Sequence, residues 1–282
     1  MRSSDEPMTT VTIPDPAALD LEVHDFHRHV EIVDVGDMNA YHVTSACILP
    51  SWREYRSSSF DAYPSNDFTN IFWYKAGVQA LRKKFAGWNG GFFVFIPIDF
   101  QGGVGKFKRD VDELNPAGVK LHPLQCFPLD KDFLDPYFQT IEESGLLVHV
   151  HTDWPSSTEF GKFKPVLGAT FGKLARWYPD VIFVMGHAGN NDSYLNIWKI
   201  VKQCPNCVVE TSMAPTPAEL DRIIARVGAD RIVFGSNFPY CNSAVEITRV
   251  LALHRASAED KQRILGENAR EMLKDRPRVV AP

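Results

Sequence analysis

The chain has no block of like charge, no long uncharged apolar run and no cysteine framework, and each absence excludes a class of protein. Its 30 basic and 35 acidic residues give a net charge of −5. With no basic stripe, nothing calls for nucleic acid or an anionic membrane surface. A membrane-spanning helix needs about 20 consecutive apolar residues, and none is present. The first twenty residues mix acids, prolines and threonines and lack the apolar stretch of a signal peptide, which makes the cytoplasm the expected location.

The five cysteines (Cys47, Cys126, Cys204, Cys207 and Cys241) are odd in number and scattered, which argues against a disulfide scaffold. Cys204-Pro205-Asn206-Cys207 has redox spacing but lacks the second pair of a structural zinc site and precedes a strand. A phosphate-binding glycine loop is also missing. Gly102-Gly103-Val104-Gly105 has neither the Walker spacing nor its Lys-Ser/Thr, and reads as a loop.

What the chain does contain is an alternation of strand and helix over 282 residues, long enough for one large core. Apolar runs at residues 21–26, 43–49, 91–98, 118–121, 146–150, 181–185, 207–211 and 231–235 predict eight strands. Most are continuous rather than alternating, as in parallel strands buried on both faces. Helical patterns cover residues 132–144, 163–178, 193–203, 218–227 and 258–273. Gly145 suits a helix end and Thr216-Pro217 a helix start. Eight such units favour an α/β fold of the closed (β/α)8 TIM-barrel type over an open sheet. The barrel is expected as a single domain at 21–274, with flexible tails at 1–20 and 275–282.

Six of the nine histidines lie at four predicted strand ends. His27-Arg28-His29 ends the first, and residues i and i+2 of a strand share a face. Lys120 and His122 end the fourth, His149 and His151 the fifth, and His187 the sixth. In a barrel these positions open on one mouth, where active sites are built. Imidazole is the commonest protein ligand for zinc-like ions, and the clustering points to a metal-centred enzyme.

The segments His27-Arg28-His29, Gly118-Val119-Lys120-Leu121-His122-Pro123, His151-Thr152-Asp153, Gly186-His187-Ala188-Gly189, Gly235-Ser236-Asn237-Phe238-Pro239 and Leu265-Gly266-Glu267-Asn268 together resemble the amidohydrolase superfamily. The match is narrower to its amidohydrolase-2 group, metal-dependent TIM barrels that include hydrolases and decarboxylases such as aminocarboxymuconate-semialdehyde decarboxylase. The resemblance implies a divalent metal ion, zinc first, held by His27, His29 and His151, with His187 handling protons. His149 competes with His151, because both project to one face. Lys120 is open to three roles: contact with an acidic substrate group, a carboxylated bridge between metals, or a structural ion pair. His122, Asp153, Trp154, Phe238 and Tyr240 are candidates to line a substrate pocket. Arg53, Arg56 and the aromatic stretch 60–74 could bind a carboxylate or form a lid or oligomer contact.

One position departs from the family. Asn237 stands where relatives carry an aspartate that ligates metal and activates water. A carboxamide offers an oxygen but takes no proton near neutral pH. Another base, such as His187, Asp153 or Glu210, could serve instead. The implied function is a metal-dependent hydrolase of a small carboxylated or aromatic compound. The alternatives are a decarboxylase (lyase) at the same site and a barrel that keeps only a ligand-binding role. A small-molecule substrate, no nucleic acid and no membrane are the expected partners, and a homo-oligomer fits the resemblance.

Overall fold

The computed structural model describes residues 15, 21–29, 34–50, 83, 85–122, 129–152, 168–189, 197–214 and 216–280. Asp153, Trp154, Cys126, Arg53, Arg56 and the stretch 60–74 lie outside the described residues. Among those described, eight strands run parallel in the order β1 to β8. They are β1 (Val23–His29), β2 (Val43–Leu49), β3 (Gly91–Pro97), β4 (Gly118–Leu121), β5 (Leu147–Val150), β6 (Phe183–Met185), β7 (Cys207–Glu210) and β8 (Ile232–Val233). Described helices follow at Val35–Ala40, Gly103–Leu114, Lys131–Glu143, Gly168–Trp177, Ile197–Gln203, Pro217–Val227 and Ser243–Leu251.

Most of the strands are largely apolar because they are covered on both sides. Val119, Val148, Val150, Phe183 and Val209 pack outward under the helices. Phe26, Phe93, Phe95, Leu147, Val184 and Val233 fill the barrel interior. Such buried side chains each contribute roughly 1.5–3 kcal/mol.

The expected eighth strand, 231–235, is shorter as a ladder, but its continuation closes the barrel. Phe26 N–H donates to the Phe234 carbonyl at 2.8 Å, Asn237 N–H to His27 at 2.7 Å and His29 N–H to Phe238 at 2.9 Å. Side chains lock this seam. Asp25 accepts from Ser236 N–H at 2.8 Å, Ser236 Oγ–H at 2.6 Å and Arg28 Nη1 at 3.2 Å. Arg28 also reaches Asp37 at 2.9 Å and lies over the Phe238 ring at 4.4 Å.

The pairing of β1 with β2 slips: Asp25 faces Ala46, yet Arg28 faces Ile48. Three steps on one strand match two on the other, which is a β-bulge. The bulge lets Phe26 join the interior while His27 and His29 still face the mouth.

Two expectations change. The helix expected at 258–273 is interrupted by a π turn, Arg263–Glu267, between Ala258–Gln262 and Asn268–Leu273. The Ile264 carbonyl in that turn accepts Phe234 N–H at 2.9 Å, tying the last helix to β8. Residues 275–282 are not wholly a loose tail: β9 (Val279–Val280) pairs antiparallel with Gly91 and Phe92 of β3, satisfying backbone groups at the barrel's base. At the helix ends, Gly145 takes the left-handed φ of 60° expected of it, whereas the Thr216 hydroxyl caps nothing.

Candidate functional site

The strand ends converge as the sequence predicted. His27 Nε2 and His29 Nε2 stand 3.1 Å apart. Each ring is fixed from behind: His27 Nδ1–H donates to Glu210 Oε2 at 2.8 Å and His29 Nδ1–H to the Leu49 carbonyl at 3.2 Å. With the protons placed there, both Nε2 atoms carry lone pairs aimed into one space. Asn237 adds a third acceptor. Its Oδ1 lies 3.0 Å from His29 Nε2, while its Nδ2–H donates to Met213 Sδ at 3.1 Å.

Two imidazole lone pairs and a carboxamide oxygen this close repel unless something positive lies among them. The donor set therefore fits a divalent metal ion. An overlapping group also fits: His27, His187 and Glu210 offer ligand atoms within 4.8 Å of one another.

His151, at the rim, stands with its ring centroid 4.2 Å from His122 and 4.7 Å from His187. His187 Nε2 lies 3.1 Å from His151 Nδ1, and its own Nδ1 lies 3.0 Å from Ser212 Oγ. Tyr240 packs edge-on against His29, with centroids 5.1 Å apart, and is partly open to solvent. Phe238 is committed to Arg28, and Cys241 is a half-buried free thiol.

Beneath this rim is a second polar layer. Lys120 and His149 are 1 % and 0 % exposed, and the Lys120 ammonium donates to His149 Nδ1 at 2.8 Å. Lys120 is thus held within the barrel, and His149, fully buried, lies one layer below the partly exposed His151. His149 must then carry its proton on Nε2, which has no hydrogen-bond partner among the described residues and lies 3.8 Å from Glu210 Oε2. Gly186 leaves room for that ring, since a Cβ there would meet His149 Cε1 at 2.6 Å.

Burial sets the charge states. Desolvation, with help from neighbouring positive groups, holds His27, His122, His149, His151 and His187 well below the usual imidazole range. They are neutral at pH 7, as metal ligands and bases must be. Burial also lowers the Lys120 ammonium and raises the Glu210 carboxyl, each opposed by the other's charge. Two site residues hold left-handed backbone, His187 at φ 62° and Asn237 at φ 54°. Such strain costs on the order of 1–3 kcal/mol per residue and gathers at functional sites.

Sequence reasoning weighed Glu210 only as a spare base and missed Ser212 altogether. The signal for the first was a carboxylate ending an apolar strand; Ser212 carries no signal outside the folded site.

The family model described as amidohydrolase matches residues 25–274. No curated protein matches the chain. Among solved structures it is similar to 2,6-dihydroxybenzoate decarboxylase from Rhizobium, at 14 % identity over 90 % of this chain and 99 % of that one, with a TM-score of 0.64. It is likewise similar to dihydroxybenzoic acid decarboxylase from Polaromonas sp. JS666, solved with manganese and the inhibitor 2-nitroresorcinol (15 % identity, 90 % and 97 % covered, TM-score 0.63). A third is 5-carboxyvanillate decarboxylase from Sphingomonas paucimobilis (16 % identity, 85 % and 82 % covered, TM-score 0.62). At these identities the structural likeness is one of fold. The family model, matched across nearly the whole barrel, establishes that the chain belongs to the amidohydrolase family, in its amidohydrolase-2 group.

Proposed function

We propose that the protein is a metal-dependent decarboxylase of a small hydroxylated aromatic carboxylate. The observation that carries this reading is the chemistry of Asn237. Its oxygen is turned to His29 as a potential ligand, and its nitrogen is committed to Met213. A hydrolase needs a group beside the metal to take a proton from water; a carboxamide cannot, so hydrolysis here would have to recruit another base such as His187 or Glu210. Decarboxylation needs no activated water. It needs the carboxylate held, a carbon–carbon bond broken with its electrons left on the ring, and a proton delivered to that ring carbon. The solved relatives named as decarboxylases of dihydroxybenzoate and carboxyvanillate support the same choice over the hydrolase reading.

His27, His29 and His151 would hold the metal, with weaker ligation from Asn237 Oδ1. When bound, the ion supplies a positive charge that neutralises substrate oxygens. Manganese, present in one of these relatives, is as good a candidate as zinc. Burial keeps His187 neutral, so its imidazole can take the proton of the substrate hydroxyl and return it to the ring carbon that loses CO2. Tyr240 and His122 would line the pocket, with Asp153 and Trp154 following His151 in sequence.

The test is product analysis. Protein loaded with manganese or zinc is incubated with 2,6-dihydroxybenzoate and 5-carboxyvanillate in D2O. The expected outcome is CO2 release with one deuterium on the ring carbon. Hydrolysis of ester or lactone substrates by the same preparation, without CO2 from any carboxylate, would restore the hydrolase reading.

A further inference from the structure

We infer that Glu210 and Ser212 act as a positioning pair that fixes the proton on three mouth histidines at once. The argument follows the hydrogen bonds outward from one carboxylate. Backbone N–H groups have no choice of direction, and two of them donate to Glu210: His187 N–H to Oε2 at 3.2 Å, and Ser212 N–H to Oε1. Both oxygens are thereby marked as acceptors. The Ser212 hydroxyl, 2.9 Å from Oε2, must then be the donor in that contact. Having used its only proton, Ser212 Oγ can only accept from His187 Nδ1, 3.0 Å away.

That places the His187 proton on Nδ1 and leaves Nε2 as a lone pair. The next contact, His151 Nδ1 to His187 Nε2 at 3.1 Å, runs the same way: His151 donates through Nδ1, and its Nε2 becomes a lone pair. On the other side of the carboxylate, His27 donates through Nδ1 to Oε2 and likewise frees its Nε2. One carboxylate thus presents the Nε2 lone pairs of His27 and His151, two members of the proposed ligand set. The Nε2 lone pair of His187 is set along with them and is occupied by His151 Nδ1–H while no substrate is bound; to take a substrate proton, His187 exchanges that contact for the substrate hydroxyl.

The surroundings are built for this. Glu210 and Ser212 are both fully buried. Gly235 has no side chain where a Cβ would sit 2.2 Å from Glu210 Oε1. The one buried side-chain donor without a hydrogen-bond partner among the described residues, His149 Nε2–H, also faces Oε2, at 3.8 Å. The consequence for metal binding rests on the proposed function; the proton positions do not.

The experiment is nitrogen-15 NMR of histidine rings in the metal-free protein at pH 8, with no substrate. Signals are assigned by single His→Gln variants. In the wild type, His27, His151 and His187 should each show a protonated Nδ1 and a bare Nε2. In Ser212→Ala, His187 and His151 should lose that fixed state while His27 keeps it, and Ser212→Thr should restore it. Metal affinity, read by zinc titration, should fall roughly ten- to hundredfold in Ser212→Ala and recover in Ser212→Thr, the scale of losses seen when outer hydrogen bonds are removed. A wild type with Nε2–H on His151 or His187, or a Ser212→Ala spectrum unchanged at both, would overturn the inference. Because neither readout uses turnover, a failure of the decarboxylase reading leaves both interpretable.

Discussion

Strand β1 carries two buried polar clusters, and they are completed in opposite ways. Asp25 and Arg28 belong to the first, where a guanidinium lies between Asp25 and Asp37 and the hydroxyls of Ser236 and Ser243 supply the remaining hydrogens. His27 and His29 belong to the second, where two ring nitrogens and the Asn237 oxygen face one another. Burial and strand are the same; donor count differs. In the first cluster donors meet acceptors, and the product is a closed barrel seam. In the second, acceptors converge, an arrangement that fits a cation. That difference separates a structural network from a binding site in this molecule.

Four experiments would break or sharpen the contrast. The largest effect is expected from the double substitution His27→Ala and His29→Ala. Elemental analysis should find near-stoichiometric divalent metal in the wild type and none in the variant; a metal-free wild type that stays empty after added zinc or manganese would erase the distinction. Next, Arg28→Met should cost about 3–5 kcal/mol in denaturant unfolding, because it strands the buried Asp25 and the part-buried Asp37 carboxylates. A loss below 1 kcal/mol would mean that the seam does not depend on that network.

The third concerns pH. His27, His122, His149, His151 and His187 have folded pKa values lowered by burial, so at mildly acid pH the unfolded chain binds protons that the native state refuses. Their stabilising contribution is present above the unfolded value of about 6.5 and lost as pH falls below it, at up to about 1.4 kcal/mol per pH unit for each histidine. His24, at the barrel's base and lowered to about 4 by burial, adds in the same direction. Metal-free protein should therefore lose unfolding free energy steadily between pH 7 and 5; a flat profile would contradict the charge states. The smallest effect is Asn237→Asp. An anionic ligand should tighten metal binding by about tenfold, or about 1.4 kcal/mol, measured by competition with a chelator. No change would remove residue 237 from the ligand set.

Much of this was legible beforehand, for identifiable reasons. Strands β2 and β4 begin and end where their expected runs do, because strands covered on both faces are apolar along most of their length. His27 and His29 converge because two residues along a strand share a face. The bulge at Asp25–Arg28 was not legible, since it depends on how β1 meets β2. Nor was the depth of Lys120, because nothing local distinguishes a lysine at the rim from one paired with His149 below it. Glu210 and Ser212 were hidden for the same reason: their partners lie far along the chain, His27 at a separation of 183 residues.

Element order, barrel class and the strand ends at which chemistry could occur can be read from the amino-acid order. These follow from patterns of apolar residues and side-chain direction that span only a few positions. The tertiary structure alone decided which histidine sits at the rim, which nitrogen of each ring carries the proton and which residues close the seam. Those outcomes depend on hydrogen bonds between segments far apart in the chain, and their direction exists only once donors and acceptors have been brought within about 3 Å.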